Sequence, residues 1–311
     1  MKRLLLLFLL LFALILSSHA IDDKYLYQLA HIKGINAMAI EVAENQVFAR
    51  SQNQLWIYSI FNPWQPRMEA GFLSTSLIED INIMSGNYIF FCSQEPSTTI
   101  VSIDSLNSYG KIFFTNTVLG DKMTREGSML YVADRYRGID IVYTGSGGLR
   151  EIKSTFSEKW GIRDFHAEYP YLYALNDFGL VTVDITDQQF PVSLGTNYQI
   201  SEARSLVKNG ETIWIAAGKE LLALNIRDLN NPVLINQFRL SNDIQDMEIK
   251  DDRLFLALGK GGVKILNVKN PLRIEDINTI FPQATVYDIA LEKDLILLAL
   301  GRDGWMVFEY R

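Results

Sequence analysis

Four aspartates recur at one position of a repeating four-residue word: Asp80 in DINI, Asp164 in DFHA, Asp246 in DMEI and Asp288 in DIAL. Carboxylates gathered around one axis suggest a metal site. The plainer reading is that an Asp at a strand entrance bonds the backbone of its preceding turn. With one carboxylate per repeat, the ring is also expected to be too wide to share one ion. One residue earlier stand Asn36, Glu79, Asp121, Arg163, Arg204, Gln245 and Tyr287. Nearby turns add Arg50, Arg135, Arg137, Lys219, Lys260 and Arg302, with Asp134, Asp177 and Asp303 as acidic neighbours. On an acidic chain this is a local basic bias, suited to an anionic ligand or an acidic segment of a partner. The alternative is that these are solvated loop charges, relieved by the neighbouring aspartates.

Enzyme signals are sparse. Beyond the N-terminal stretch the histidines are His31 and His166, both within strand-like runs. They do not suffice for a Ser-His-Asp triad or a multi-histidine metal site. LGKGG at 258–262 joins two strand-like runs, so it reads as a hairpin turn and not as a phosphate cradle. No cofactor and no resident metal is expected. An enzymatic alternative stays open: a hydrolase, lyase or oxidoreductase whose Arg163 and Arg204 clamp a small anionic substrate, with Glu79 or Asp121 as acid or base.

The elements that must hold these residues follow from the repeat. The words are AMAI (37–40), DINI (80–83), KMTR (122–125), DFHA (164–167), SLVK (205–208), DMEI (246–249) and DIAL (288–291). Their spacing is about 42 residues, the length of a four-stranded propeller blade. Repeat five shows the pattern: ARSLVK, TIWIAA, LLALNI and VLINQFRL, separated by NGE, GKE and DLNNP. β-branched and aromatic runs broken by Gly, Asn, Asp and Pro are hairpin signals. The expected fold is an all-β, seven-bladed β-propeller with blades beginning near 36, 79, 121, 163, 204, 245 and 287. The seventh repeat stops after three strands, while KYLYQLAHI (24–32) precedes the first repeat. Pairing 24–32 onto the last blade is expected to close the ring. Pro66, Pro191, Pro232 and Pro271 are expected at the start of each outer strand, where a missing N–H is tolerated. Phe61 and Trp64 either form an exposed contact patch on the opposite face or, the favoured reading, pack beneath the first blade.

Lys2 and Arg3, an apolar stretch from Leu4 to Leu16, and SSHA ending at Ala20 describe a secretory signal peptide, so the mature domain is expected to be 21–311. The apolar stretch is too short for a spanning helix. The whole chain carries 29 basic and 36 acidic side chains, a net of −7, and losing Lys2 and Arg3 makes it −9. That balance excludes a phosphate-reading surface of the nucleic-acid type. With Cys92 alone, stability must come from packing and strand pairing, not from an internal disulfide. A monomeric domain in the periplasm or at the cell surface is expected.

Repeats four to six carry a finer pattern: LYALNDFGLVTVDITDQQFPVSLG, IWIAAGKELLALNIRDLNNPVLI and LFLALGKGGVKILNVKNPLRI. This resembles the LVIVD-repeat β-propellers of exported bacterial proteins, in which an apolar strand ends in Asp a few residues before Pro. Repeats two and three depart from it, with SIDSLNSYG and VYTGSGGLR lacking that Pro. The resemblance implies binding or scaffolding of a protein or glycan outside the cytoplasm, and brings no catalytic residues with it.

Overall fold

The computed structural model describes residues 26–74, 77–84, 88–92, 99–102, 113–114, 120–134, 136–144, 150–157 and 161–310. The expected signal peptide and Arg135 lie outside them. Strand β1 (Leu26–Ile32) comes first. The first repeat supplies β2 (Ala39–Ala43), β3 (Gln46–Ser51), β4 (Gln54–Ser59) and β5 (Arg67–Leu73). The second supplies β6 (Asp80–Met84), β7 (Tyr88–Cys92), β8 (Thr99–Ser102) and β9 (Phe113–Phe114). Next come β10 (Lys122–Glu126), β11 (Met129–Asp134), β12 (Gly138–Thr144) and β13 (Arg150–Ser157). The fourth repeat holds β14 (Asp164–Glu168), β15 (Tyr171–Leu175), β16 (Gly179–Asp184) and β17 (Val192–Gln199). The fifth holds β18 (Ala203–Asn209), β19 (Thr212–Ala217), β20 (Glu220–Asn225) and β21 (Val233–Arg239). The sixth holds β22 (Asp246–Lys250), β23 (Arg253–Ala257), β24 (Val263–Asn267) and β25 (Glu275–Ile280). The chain ends with β26 (Asp288–Glu292), β27 (Leu295–Ala299) and β28 (Trp305–Tyr310).

Each repeat forms its own antiparallel sheet in chain order, and β1 joins the last sheet in the order β1-β28-β27-β26. The expectation of seven four-stranded antiparallel blades is met in part. Six sheets have four strands of five residues or more, whereas the sheet β6–β9 ends in the two-residue β9. Among the described residues no helix is long and apolar enough to cross a membrane.

Second strands whose burial is described are largely buried on both faces because each is sandwiched between neighbouring sheets. Every residue of β11 and of β19 is buried, which is why these runs do not alternate. One core packs Tyr131 and Ile141 against Phe165 and Val181 of the following sheet. Another packs Leu297 and Trp305 of the last sheet against Val47 and Tyr58 of the first. There Trp305 meets Tyr58 edge-on, with ring centroids 5.2 Å apart.

The outer strands share a device. Their pairing slips by one residue at Leu29 in β1, Glu69 in β5, Lys153 in β13, Ile235 in β21 and Ile277 in β25. Such bulges twist an exposed edge away from further pairing. β1 carries the same bulge as the strands that close their own repeats. Its last residues are also held as theirs are. A Cβ on Gly262 would meet the Ile280 carbonyl oxygen at 2.0 Å, and one on Gly304 would meet that of Ile32 at 1.8 Å.

Three sequence expectations shift. The first repeat's inner strand begins at Ala39, so its word is AIEV and not AMAI. The Met38 amide donates to the Arg50 carbonyl, as Asp121 does to Ala133, Arg163 to Leu175 and Tyr287 to Ala299. Met38, not Asn36, is therefore the equivalent of the other mouth residues, and Asn36 instead bonds Ser51. Pro271 follows Asn270 within the loop, where Pro63 follows Asn62; Ile274 stands where Pro66, Pro191 and Pro232 begin the outer strands. Phe61 and Trp64 are 88% and 60% exposed, so they are not core. Asn62 accepts from the Trp64 amide, and Asp187, Asp228 and Asn270 accept likewise two residues on. These side-chain turns fix a tight loop whose apolar residue faces water.

Candidate functional site

The inner strands β2, β6, β10, β14, β18, β22 and β26 touch one another in chain order, and β26 touches β2. Ile40, Ile81, Met123, Phe165, Leu206, Met247 and Ile289 occupy one side of these strands and are buried between sheets. Alternation sends the residues on either side of them to the opposite face, toward the axis. The first such position holds Asp80, Lys122, Asp164, Asp246 and Asp288; two residues on come Glu41, His166 and Glu248.

The aspartates reach beyond the turns they are expected to cap. Each reaches the next sheet. Asp80 accepts from the Met123 amide at 2.8 Å, Asp164 from Leu206 at 2.7 Å and Asp246 from Ile289 at 3.2 Å. Asp288 accepts from Ile40 at 2.7 Å. Asp80 and Asp164 are buried and Asp246 and Asp288 half-buried; a carboxylate drawn out of water is kept where donors compensate its lost hydration, so these four serve first as ties between blades. Among the described residues no group of three or more His, Cys, Asp or Glu is placed to hold a metal ion.

The channel is nevertheless strongly acidic. Lys122 lies 3.0 Å from Asp164, and that carboxylate holds its pKa above the usual lysine range despite burial; Asp80 and Asp246 add to the effect. Burial raises Asp80 against the pull of Arg50 and Lys122. Burial raises Glu41, reinforced by Asp80 and Asp288. Asp246 is raised by burial and by Asp288, with which it shares a side-chain hydrogen bond. Charges on adjacent blades therefore act on one another across the channel. Glu248 is pushed up to about 7, by burial first and then by Asp288. His166 is lowered by burial, against the pull of Glu168. The arrangement can store protons.

The sequence-selected residues other than Arg135 lie on the rim above this channel, divided into paired and unpaired groups. Arg163 is committed to Asp177 at 2.7 Å, and Arg137 to Asp134 at 3.1 Å and Asp140 at 3.7 Å. Arg50 is turned inward, donating to the Ile78 carbonyl and lying 3.5 Å from Asp80. Glu79 and Asp121, both partly buried, stand on the second and third repeats, apart from the unpaired cations. Those are Arg204, Lys219, Lys260 and Arg302, which are exposed and form no ion pair with any described residue. Three follow a left-handed glycine at one turn position: Gly218 (φ +58°), Gly259 (φ +57°) and Gly301 (φ +60°). The missing side chain lets a side chain from the loop before the inner strand lie over the turn. A Cβ on Gly301 would sit 2.8 Å from the Tyr287 ring, and one on Gly218 would sit 2.8 Å from a Glu202 carboxylate oxygen. Sequence reasoning missed Lys122, Glu41 and Glu248, although a step of two from the repeated word reaches both glutamates.

No family model matches the chain, and no curated protein does. Solved structures do. U3-55K superposes with a TM-score of 0.72 at 11% identity, over 91% of this chain and 98% of that one. The computationally designed Ika8 protein gives 0.64 at 11%, over 91% and 99%. PorZ, a bacterial surface component of the type-IX secretion system of Porphyromonas gingivalis, gives 0.63 at 15%. That alignment covers 91% of this chain and 37% of PorZ. The fold is a β-propeller. At these identities the likeness carries the architecture alone, so what this propeller does rests on its own rim and channel.

Proposed function

We propose that this chain is an exported, seven-bladed propeller of the LVIVD-repeat type, closed by β1, that acts as a binding or scaffold module. Its working surface is the rim formed by the turns leading into the inner strands and those between second and third strands. Its partner is a protein or a glycan. The observation that carries this reading is the exposed series Arg204, Lys219, Lys260 and Arg302 on three consecutive blades, outside any ion pair with the described residues. The channel beneath weighs against the enzymatic alternative, since its cations are already engaged, Lys122 by Asp164 at 3.0 Å and Arg50 by Asp80 at 3.5 Å. Pairing of Arg163 with Asp177 also removes one arm of the expected two-arginine clamp. Closure by β1 is supported by its pairing with β28 and by the Asp288–Ile40 bond. Export is supported by Lys2, Arg3 and the apolar stretch Leu4–Leu16.

The test is site-specific photo-crosslinking in the source cells. Crosslinkers at Arg204, Lys219 and Tyr287 should give discrete adducts, while those at Trp64 and Phe190 on the opposite face should not. Adducts only from Trp64 and Phe190 overturn the assignment of the face.

A further inference from the structure

Residues 281–284, between β25 and β26, line two open clefts and stand as a ridge between them. One cleft, of ≈ 480 Å³, is lined by Lys260, Gly262 and Asp303. The other, of ≈ 450 Å³, is lined by Gln28, His31, Lys33, Asp303 and Met306. Phe281, Pro282, Gln283 and Ala284 line both. Phe281 is 70% exposed, and Gln283 holds a left-handed backbone at φ +59°. The ridge thus keeps an aromatic ring in water on a backbone conformation that costs energy for a non-glycine residue.

The charge around it is one-sided. Lys33 and Lys260 are exposed, one per cleft, and neither forms an ion pair with any described residue. Arg302, equally exposed and unpaired among the described residues, precedes Asp303 in the adjoining turn. Asp303 is the only carboxylate among the described residues that line either cleft. Its backbone carbonyl accepts from His31 Nε2 at 2.7 Å, which ties β1 to that turn. On a chain of net charge −7, an acidic partner is repelled by most of the surface and attracted here.

We propose that this ridge docks an extended acidic polypeptide segment, laying an apolar side chain on Phe281 and Pro282 and carboxylates on Lys33 and Lys260. The inference rests on the rim being the binding face and narrows it to the junction of the last two blades. Two clefts divided by a ridge suit a chain that straddles it better than a compact ligand held in one hollow.

The experiment pans the full chain against a displayed library of random short peptides, then measures a synthetic copy of the enriched sequence by fluorescence anisotropy. Asp and Glu flanking an aromatic or aliphatic residue should be enriched. Lys33→Glu, Lys260→Glu and Phe281→Ala should each weaken binding by roughly tenfold, Lys33→Arg should restore it, and added salt should weaken it. Melting temperatures should stay at the wild-type value, since all three side chains are exposed. Peptides that bind equally well to these variants but are lost on Arg204→Glu and Lys219→Glu overturn the ridge and keep the rim. Absence of enrichment, or binding of an acidic polysaccharide through the same lysines without any peptide, overturns the polypeptide assignment.

Discussion

The carboxylate of Asp288 accepts a hydrogen bond from the amide of Ile40 at 2.7 Å, across 248 residues of sequence. It repeats between the last and first blades the tie that Asp80, Asp164 and Asp246 make between consecutive ones. The tie has a cost, because Asp288 also raises the pKa values of Asp246, Glu248 and Glu41. Holding the ends together and crowding the channel with charge are two effects of one side chain.

Separating those effects gives the first prediction. Asp288→Ala removes the acceptor and leaves the Ile40 amide unsatisfied, a loss of roughly 1–3 kcal/mol. Asp288→Asn keeps an acceptor oxygen and removes the charge that opposes its neighbours. Thermal unfolding at neutral pH should therefore place Asp288→Ala several degrees below wild type and Asp288→Asn level with or above it. Equal losses in the two variants would sink the account.

The grip on β1 is tested at Gly304. Its φ is +82°, and a Cβ there would lie 1.8 Å from the Ile32 carbonyl oxygen, which leaves no room for a side chain. Gly304→Ala should loosen β1 from β28, lower the melting temperature and open the N-terminal strand to limited proteolysis. Gly34→Ala is the control: its φ of +86° carries the same backbone strain, but nothing lies within 4 Å. Loss confined to backbone strain would make the two variants alike; a steric grip makes Gly304→Ala the worse.

The strands are legible in the sequence because their signals are local. TIWIAA between turn residues can hardly be anything else, and β19 spans it. The first repeat is misaligned by its sequence because Ala37 and Ala39 are interchangeable to the eye, and only the Met38–Arg50 bond sets the phase. The channel is illegible for a different reason. Glu41 and Glu248 gain their character first from burial in the channel and then from carboxylates of other blades, and no sequence window contains either. The rim is half legible: its cations are visible in the turns, but the pairing of Arg163 with Asp177 and the exposure of Lys260 are properties of loop geometry.

The exposed loop of the first blade gives a prediction opposite to the sequence expectation. Phe61 and Trp64 sit in water on a turn held by Asn62. Replacing both with Ser should change stability by no more than about 0.5 kcal/mol. Trp305→Ala, which empties the core against Tyr58, should cost roughly 3–5 kcal/mol. A large loss from the loop double variant in equilibrium denaturation would show that the aromatics pack after all.

The pH dependence of stability follows from the channel carboxyls, and its sign is unusual. Glu248 has its pKa raised from 4.5 to about 7, so between those values the folded protein holds a proton that the unfolded chain has released. Fewer protons bound on unfolding means stability falls as pH rises. The contribution is fully present below about pH 4.5 and is lost as pH climbs through about 7. Asp246, Glu41 and Asp80 are shifted in the same direction, so they add to the slope. Most folded proteins lose stability on acidification because their carboxylates are held low; this channel should oppose that trend. Melting temperatures measured from pH 4.5 to 8 should decline toward the alkaline end, and Glu248→Gln, which cannot ionise, should flatten the decline. A wild-type curve that rises across this range, or one that Glu248→Gln leaves unchanged, would show that the channel carboxyls are hydrated well enough to ionise freely.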